Sequence, residues 1–399
     1  MRTVFLVGSA VVLQLYLKDM GATPFTISLL EVLFWSGLFL FAPLWGAISD
    51  TSGRRKLFLV FSIGISGLII PVFGYLDMVS YVLGLKFVFA VFASAFPPVA
   101  LAVMSEKGEA AERGKNLAPY NTSRAIGFMI GWGASGALID FLGFDAAFTA
   151  YGIVGFLGLV AALLVTGIDN TSETDLQTIW TEAKDRWLPS IHDTSLTENG
   201  LHYLFFSIFL RKLAIIGIMS LIAVYVVDVV GFSASLLGIL LALNPFGQFL
   251  FIDLFGTLAD RYGRRKVFLT GLLLTLVYPL LLATTTGPVF FAAAFLALGV
   301  SFAAFVQGTT AFIGDVAPEG RQGEFMGFRK SSQGLAGMIG PLLAGYIATV
   351  YGYTLMLYLM TAVIGLSFII GYFQTEESLE SAGGSVMSDV MHFIGQHRH

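Results

Sequence analysis

Asp50, Gly53, Arg54, Arg55 and Lys56 lie in the stretch GAISDTSGRRK at residues 46–56, and Asp260, Arg261, Gly263, Arg264, Arg265 and Lys266 lie in GTLADRYGRRK at 256–266. Each stretch follows a long apolar run, and the chemistry these residue types can do is ionic. A carboxylate at the C-terminal end of a helix, or in the turn beyond it, is badly placed against the helix dipole unless a cation is near. Arg54 and Arg264 could supply that cation to Asp50 and Asp260. Glu106 and Asp315, at the ends of the fourth and tenth apolar runs, could bind the arginines from the other side. Gly46 and Gly256 let neighbouring helices approach closely.

A second set lies inside the apolar runs, where an ionisable residue is costly and is a functional candidate by default. Glu31 is the one carboxylate well inside a run of the first half. Burial would raise its proton affinity and let it carry a proton; the alternatives are a place at the outer rim or a pairing with Lys86 at similar depth. Arg124, Arg211, Lys212, Arg329 and Lys330 lie several residues in from the run ends. Arg211 and Lys212 are adjacent and point in different directions, so at most one faces a central space, and side chains of this length can snorkel to the surface. One or two buried cations would suit an anionic substrate. Asp253 has Arg329 as an expected structural partner. The neutral polar residues deep in the runs are Gln14, Asn244, Gln248 and Gln307, with Asn244 and Gln248 one helical turn apart.

Composition dictates the elements that hold these groups. The chain has 399 residues, 56% hydrophobic and 12% charged, where an ordinary soluble chain carries about 25% charged residues. Most of the apolar side chains must therefore face a bilayer. Apolar runs occupy 3–18, 25–48, 57–76, 80–104, 118–140 and 147–168; a polar stretch fills 169–200; runs then occupy 202–228, 234–258, 267–286, 288–314, 325–349 and 351–373. Backbone groups in hydrocarbon must bond internally, so these runs read as twelve helices in an all-α membrane protein; the alternating segments of a β-barrel are absent. The start, MRTVFLVGSAVVLQLYL, has Arg2 ahead of its apolar run but no small-residue cleavage site. It reads as a short first helix rather than a signal peptide. Lys and Arg collect in alternate loops, which places both ends and the linker in the cytoplasm and the chain in the cell membrane.

The domains expected are a first bundle at 1–168, a linker at 169–200, a second bundle at 201–373 and a polar, mobile cytoplasmic tail at 374–399. In the linker, Leu176, Ile179, Trp180, Ala183 and Trp187 share one helical face. That face could lie on the membrane surface or pack against the bundle.

The chain also repeats itself beyond the charged loops. GATPFTISLLEV at 21–32 echoes VVGFSASLLGIL at 229–240 with an offset of 207, which sets Phe25 against Phe232 and Glu31 against Gly238. The charged loops have an offset of 210, so this alignment expects a small insertion in the eighth helix. Two parallel six-helix repeats follow, related by an axis along the membrane normal.

On these residues the chain resembles the major facilitator superfamily over nearly its whole length. The family signature Gly-x-x-x-Asp-Arg-x-Gly-Arg-Arg/Lys is complete at Gly256, Asp260, Arg261, Gly263, Arg264 and Arg265, while the first copy has Thr51 in place of its basic residue. The resemblance implies that the charge pairs form a cytoplasmic latch steadying an outward-facing state, with the first latch the weaker. It implies a central cavity lined by helices one, four, seven and ten, which makes Gln14, Gln307 and Tyr225 binding candidates beside Glu31, Lys86, Arg124, Arg211, Asn244 and Gln248. GFMIGWGASG at 127–136 and GMIGPLLAG at 337–345 fit close helix packing; the family's antiporter pattern is broken at Trp132 and Ser135.

The function expected is secondary active transport of a small molecule by alternating access, as proton-coupled efflux. The alternatives are uptake of a sugar or organic anion by a symporter or uniporter, and a receptor or scaffold that no longer transports. The protein is read as a monomer in the lipid bilayer with a small-molecule substrate and protons as coupling ion. No enzyme, cofactor or metal site is expected. There is no cysteine, no HExxH and no nucleotide-binding Gly-rich loop, and His192, His202, His392, His397 and His399 lie in or beside the linker or in the tail. A net charge of -4 gives no case for a nucleic-acid partner.

Overall fold

The computed structural model describes residues 1–105, 113–169, 179–181, 184, 199–318 and 321–379, and among these it is helical without strands. The first half contains α1 (Arg2–Asp19), α2 (Pro24–Ser52), α3 (Arg55–Val72), α4 (Val79–Ala93), α5 (Phe96–Ser105) and α6 (Arg113–Leu163). The second contains α7 (Leu201–Met219), α8 (Ala234–Tyr262), α9 (Arg264–Thr284), α10 (Pro288–Val316), α11 (Gln322–Tyr351) and α12 (Tyr353–Gln374). We call the end that carries the two GRRK stretches the inner end.

Among the described residues ten helical spans are long and apolar enough to cross a membrane, which takes about twenty residues. One of them, Tyr120–Leu163, has 44 residues and suffices for two crossings. Its turn, expected as a loop at 141–146, is no more than a break at Gly143, whose φ of 79° lies outside the helical region. The first helix is not among the ten, since α1 carries Arg2, Lys18 and Asp19 within 18 residues; it crosses inside protein, with Phe5, Val12 and Leu17 fully buried. Two expected runs are interrupted. The run at 80–104 is divided into α4 and α5 just before Pro97 and Pro98. The run at 202–228 stops at Met219 and resumes as Ile222–Val224 and a wider turn at Tyr225–Val229.

Geometry corrects the internal alignment. α2 and α8 each have 29 residues, so the eighth helix holds no insertion. Thr23 caps α2 by accepting from the Thr26 N–H, and Ser233 caps α8 by accepting from the Leu236 N–H. Two residues earlier, Gly21 and Gly231 both take positive φ, 81° and 87°. These pairs share the offset of 210 already present in the charged loops. The run of identical letters at 207 is coincidental similarity within apolar sequence, and Glu31 corresponds to Leu241.

Packing follows the repeat. In the first half α6 covers α1 and α3, and α2 lies on α4; in the second α10 lies on α8 and α9, and α7 on α11 and α12. The halves meet along two seams, α6 against α8 and α2 against α11. Large apolar side chains such as Leu142, Phe156, Val289 and Phe373 remain exposed on the outside of the bundle, as lipid-facing positions require.

Candidate functional site

The halves meet along the two seams, on either side of the central cleft that the family resemblance implies, and small residues decide how closely they approach. At the outer end of the first seam, a side-chain carbon at Gly136 would overlap the Ala234 carbonyl oxygen, so only glycine permits this contact. Asp140 Oδ2 accepts from the Ser235 N–H at 2.7 Å beside it. Along the second seam, Gly345 lies against Ser28, Gly337 against the Trp35 indole and Gly334 against Phe39. The Phe25 N–H donates to Thr349 Oγ1 at 2.9 Å at its outer end. The glycines of both stretches singled out in the sequence thus serve close packing: Gly127 and Gly131 on α1, Gly340 on α7, and Gly133, Gly136, Gly337 and Gly345 across the seams.

Gln14 joins the halves a third way. It is 5% exposed; its Nε2 donates to the Met219 carbonyl at 3.1 Å and its Oε1 accepts from the Ala223 N–H at 3.2 Å. These two backbone groups flank the interruption after α7, where the helix leaves them without internal partners. Lys18 Nζ, at the outer end of α1, lies 3.0 Å from Asp228 Oδ2. Neither this pair nor Asp140 was picked out from the sequence.

Glu31 lies half-buried on α2, one turn from both Ser28 and Trp35, which touch α11. Its carboxyl is close to the Trp35 indole and within electrostatic range of Lys86 of α4. Lys86 is 3% exposed, with Nζ over the rings of Phe34 at 5.4 Å and Phe89 at 4.8 Å. Glu31 and Lys86 thus attract one another across the helices without forming an ion pair, and Lys86 lies inside the protein.

The remaining candidates are distributed differently. Arg211 is 1% exposed and does not snorkel. Its Nε donates to Thr275 Oγ1 at 2.9 Å and Nη2 to Ser301 Oγ at 3.3 Å, and its guanidinium lies 4.2 Å from the centre of the Phe305 ring. It is held inside the second half by α9 and α10. Gln307 Nε2 donates to the Ile252 carbonyl at 3.0 Å and abuts Gly256, joining α10 to α8. Asn244 Oδ1 accepts from Gln248 Nε2 at 2.7 Å within α8. Tyr225 donates its hydroxyl to the Leu282 carbonyl at 2.6 Å and packs on Phe291 and Tyr353. Arg329 does not meet Asp253: Arg329 Nη1 donates to Thr310 Oγ1 at 2.6 Å, and Asp253 is exposed. Arg124 is exposed near the inner end of α6, 5.9 Å from the Phe128 ring centre.

At the inner end the second-half loop is a closed set of charges. Arg264 Nη1 donates to Asp260 Oδ1, and Arg264 Nε donates to Asp315 Oδ2 at 3.0 Å. The chain after α12 completes it. Glu377 Oε1 accepts from the N–H groups of Arg264 at 2.7 Å and Arg265 at 3.2 Å, and Ser378 donates to Asp315 Oδ2 at 3.1 Å. Arg265 also bonds the Tyr372 carbonyl. The tail expected to be mobile from 374 is thus bound at its beginning, with Ser378 buried. In the first half Arg55, not Arg54, lies 3.9 Å from Asp50. The left-handed Gly53 (φ 62°) delays the start of α3 to Arg55 and leaves Arg54 as its exposed cap residue. Asp169 Oδ1 accepts from the Lys56 N–H at 2.8 Å, the counterpart of Glu377. Glu106 lies outside the described residues, as do the face-forming linker positions Leu176, Ala183 and Trp187.

Comparison with known proteins agrees with this architecture. The model of the Major Facilitator Superfamily matches residues 3–196 and 204–389. The multi-drug resistance efflux pump PmrA of Streptococcus pneumoniae is 23% identical over 390 residues, covering 93% of each chain. The multidrug resistance protein MdtG of Proteus mirabilis is 23% identical over 375 residues, covering 90% of this chain and 89% of that one. Among solved structures, a bacterial homolog of the human lysosomal transporter Spinster, in an inward-facing and occupied conformation, superposes with a TM-score of 0.74 at 14% identity, covering 94% of this chain and 93% of that one.

Proposed function

The chain belongs to the Major Facilitator Superfamily, and from that premise we propose that it is a secondary active transporter that exports a small amphipathic molecule by alternating access, driven by protons. The two multidrug relatives support export, since both align over about nine-tenths of this chain. Alternating access is supported by the outer seams, which hold the halves together through contacts that can be released without breaking either bundle. Gly136 on Ala234, Asp140 on Ser235, and Lys18 on Asp228 all lie between halves. The charge sets at the inner end lie within each half. We assign these sets as latches that hold each GRRK loop in one geometry, with both chain ends in the cytoplasm by the distribution of Lys and Arg.

The observation that carries proton coupling is the Glu31 carboxyl on α2, within electrostatic range of the buried Lys86 of α4. Glu31 sits at the α2–α11 seam, where Trp35 touches Gly337. A carboxylate that loses its proton there attracts Lys86; one that gains a proton gives up that attraction between α2 and α4. Such a group converts proton occupancy into a change of helix packing. The test is transport of chloramphenicol, an uncharged amphipathic probe, by purified protein in liposomes under an imposed pH gradient. Wild type should respond to the gradient, and Glu31→Gln should lose that response while keeping its melting temperature. Gradient-driven transport by Glu31→Gln would remove Glu31 from the proton path, and no gradient response by wild type would remove proton coupling.

A further inference from the structure

We infer that the inner part of the cleft is an anion-binding vestibule, built for the acidic group of an amphipathic organic anion; this names a substrate class and rests on the transporter reading above. The two seams define what faces the cleft. On α11 the residues touching α2 are Gly345, Gly337 and Gly334, and the same helical stripe runs one turn further to Lys330, which is exposed. On α6 the Trp132 carbonyl lies against Gly238 of α8, and the stripe continues through Phe128 to Arg124, exposed in its turn. Towards the inner end each stripe thus leads to a cation.

These cations gather with others. Lys212 of α7 lies within electrostatic range of Arg211, Arg329 and Arg124, and Lys330 lies within range of Arg329 and Arg124. Arg2 of α1 lies within range of Arg124. Cations on four helices from both halves, α1, α6, α7 and α11, thus form one chain of interacting positive charges. Among the described residues none of these cations forms an ion pair. Arg2 donates to the Ala93 carbonyl at 2.9 Å, Arg329 to Thr310, and Arg211 to two hydroxyls. The Nε atoms of Arg2 and Arg329 are buried with no partner. Asp253, the carboxylate expected to answer Arg329, bonds none of them.

Clustered like charges away from bulk water repel strongly, and each unsatisfied N–H adds its own desolvation cost. An arriving anion relieves both. The walls fit an apolar body attached to that anion. The Phe302 ring lies 5.4 Å from Lys212 Nζ, the Phe96 ring 4.5 Å from the Arg2 guanidinium, and Trp132 packs on Phe128 at 4.9 Å. A lipophilic cation would meet the same walls and be repelled by the charges.

The experiment is equilibrium binding of taurocholate and of tetraphenylphosphonium to protein in nanodiscs of phosphatidylcholine only. Wild type should bind taurocholate and exclude tetraphenylphosphonium from the same site. The double variant Arg124→Gln/Lys330→Gln removes two exposed side chains, which keeps the fold intact, and should weaken taurocholate binding about tenfold or more, as loss of charge-assisted contacts does. Equal taurocholate binding by wild type and variant, or preferential binding of the cation, would overturn the proposal. A parallel arm replaces part of the lipid with phosphatidylglycerol. If that lipid stabilises wild type but not the variant, and taurocholate does not bind in its absence, the site holds a lipid headgroup and the solute reading falls. Chloramphenicol transport by wild type under a pH gradient tests the transporter assignment separately, whichever way the binding result falls.

Discussion

Lys18 Nζ lies 3.0 Å from Asp228 Oδ2, so the outer end of the first helix in one half is bonded to the outer end of the seventh span in the other. Both side chains are partly exposed, and exposed pairs contribute about 0–1 kcal/mol. The pair therefore matters little to folding. It matters to the balance between arrangements of the two halves, because it exists only while their outer ends are together.

Lys18→Gln should leave the melting temperature within a degree or two of wild type while populating a state with the outer ends apart. The chain has no cysteine, so spin labels can be placed cleanly at Ala22 and Val230. The label distance distribution should broaden to longer values in Lys18→Gln and return in the swap Lys18→Asp/Asp228→Lys. An unchanged distribution would show that the pair does not contribute to closure.

Gly136→Ala should act more strongly at the same end. Its methyl group would overlap the Ala234 carbonyl oxygen, which backbone cannot yield by rotating a side chain. Each half should still fold, because the clash lies between halves. The expected outcome is loss of transport by an abundant, thermally stable protein, with outer-end label distances lengthened. Wild-type transport by Gly136→Ala would mean that the α6–α8 seam need not close this tightly.

Thr275→Val tests how Arg211 is tolerated in the interior. The hydroxyl accepts from Arg211 Nε, and its removal leaves a buried charged donor unsatisfied. A cost of about 1–3 kcal/mol is expected, as for other buried groups left without a partner. Arg211→Met should be milder than Thr275→Val, since it removes the charge together with its need for partners. Thermal unfolding in one detergent compares the two, and the reverse order would show that the guanidinium itself is needed.

Glu377→Ala should destabilise the second-half loop. It removes an acceptor from two N–H groups at the start of α9, and losing a helix cap costs about 0.5–2 kcal/mol. Hydrogen exchange should rise at the first turn of α9 and stay unchanged at the start of α3, which Asp169 caps independently. Faster exchange at both sites would point to a global effect rather than a cap.

Much of this was legible in one dimension. Apolar runs long enough to cross a bilayer must be helical, because hydrocarbon offers the backbone no other partner. The doubled charged loop made two homologous halves the simplest account, and its Asp–Arg spacing of one helical turn led directly to the Arg264 pairs with Asp260 and Asp315. Glu31 and Lys86 were visible as charges at matching depth in neighbouring runs. These features are local or compositional, so the chain states them wherever it is read.

What the sequence did not decide were contacts whose partners lie far apart in the chain. Identical letters suggested an offset of 207, and only the caps at Thr23 and Ser233 showed that α2 and α8 keep the 210 of the charged loops. Arg55 rather than Arg54 meets Asp50, since the backbone at Gly53 sets which residue begins α3. Whether Gln14 and Gln307 face a cavity or bond neighbouring backbone depends on which helix interruption or carbonyl packing brings within reach. Composition fixes which groups are hard to bury. Only packing decides which partners they find, because a hydrogen bond or ion pair requires its atoms to meet within about 3 Å.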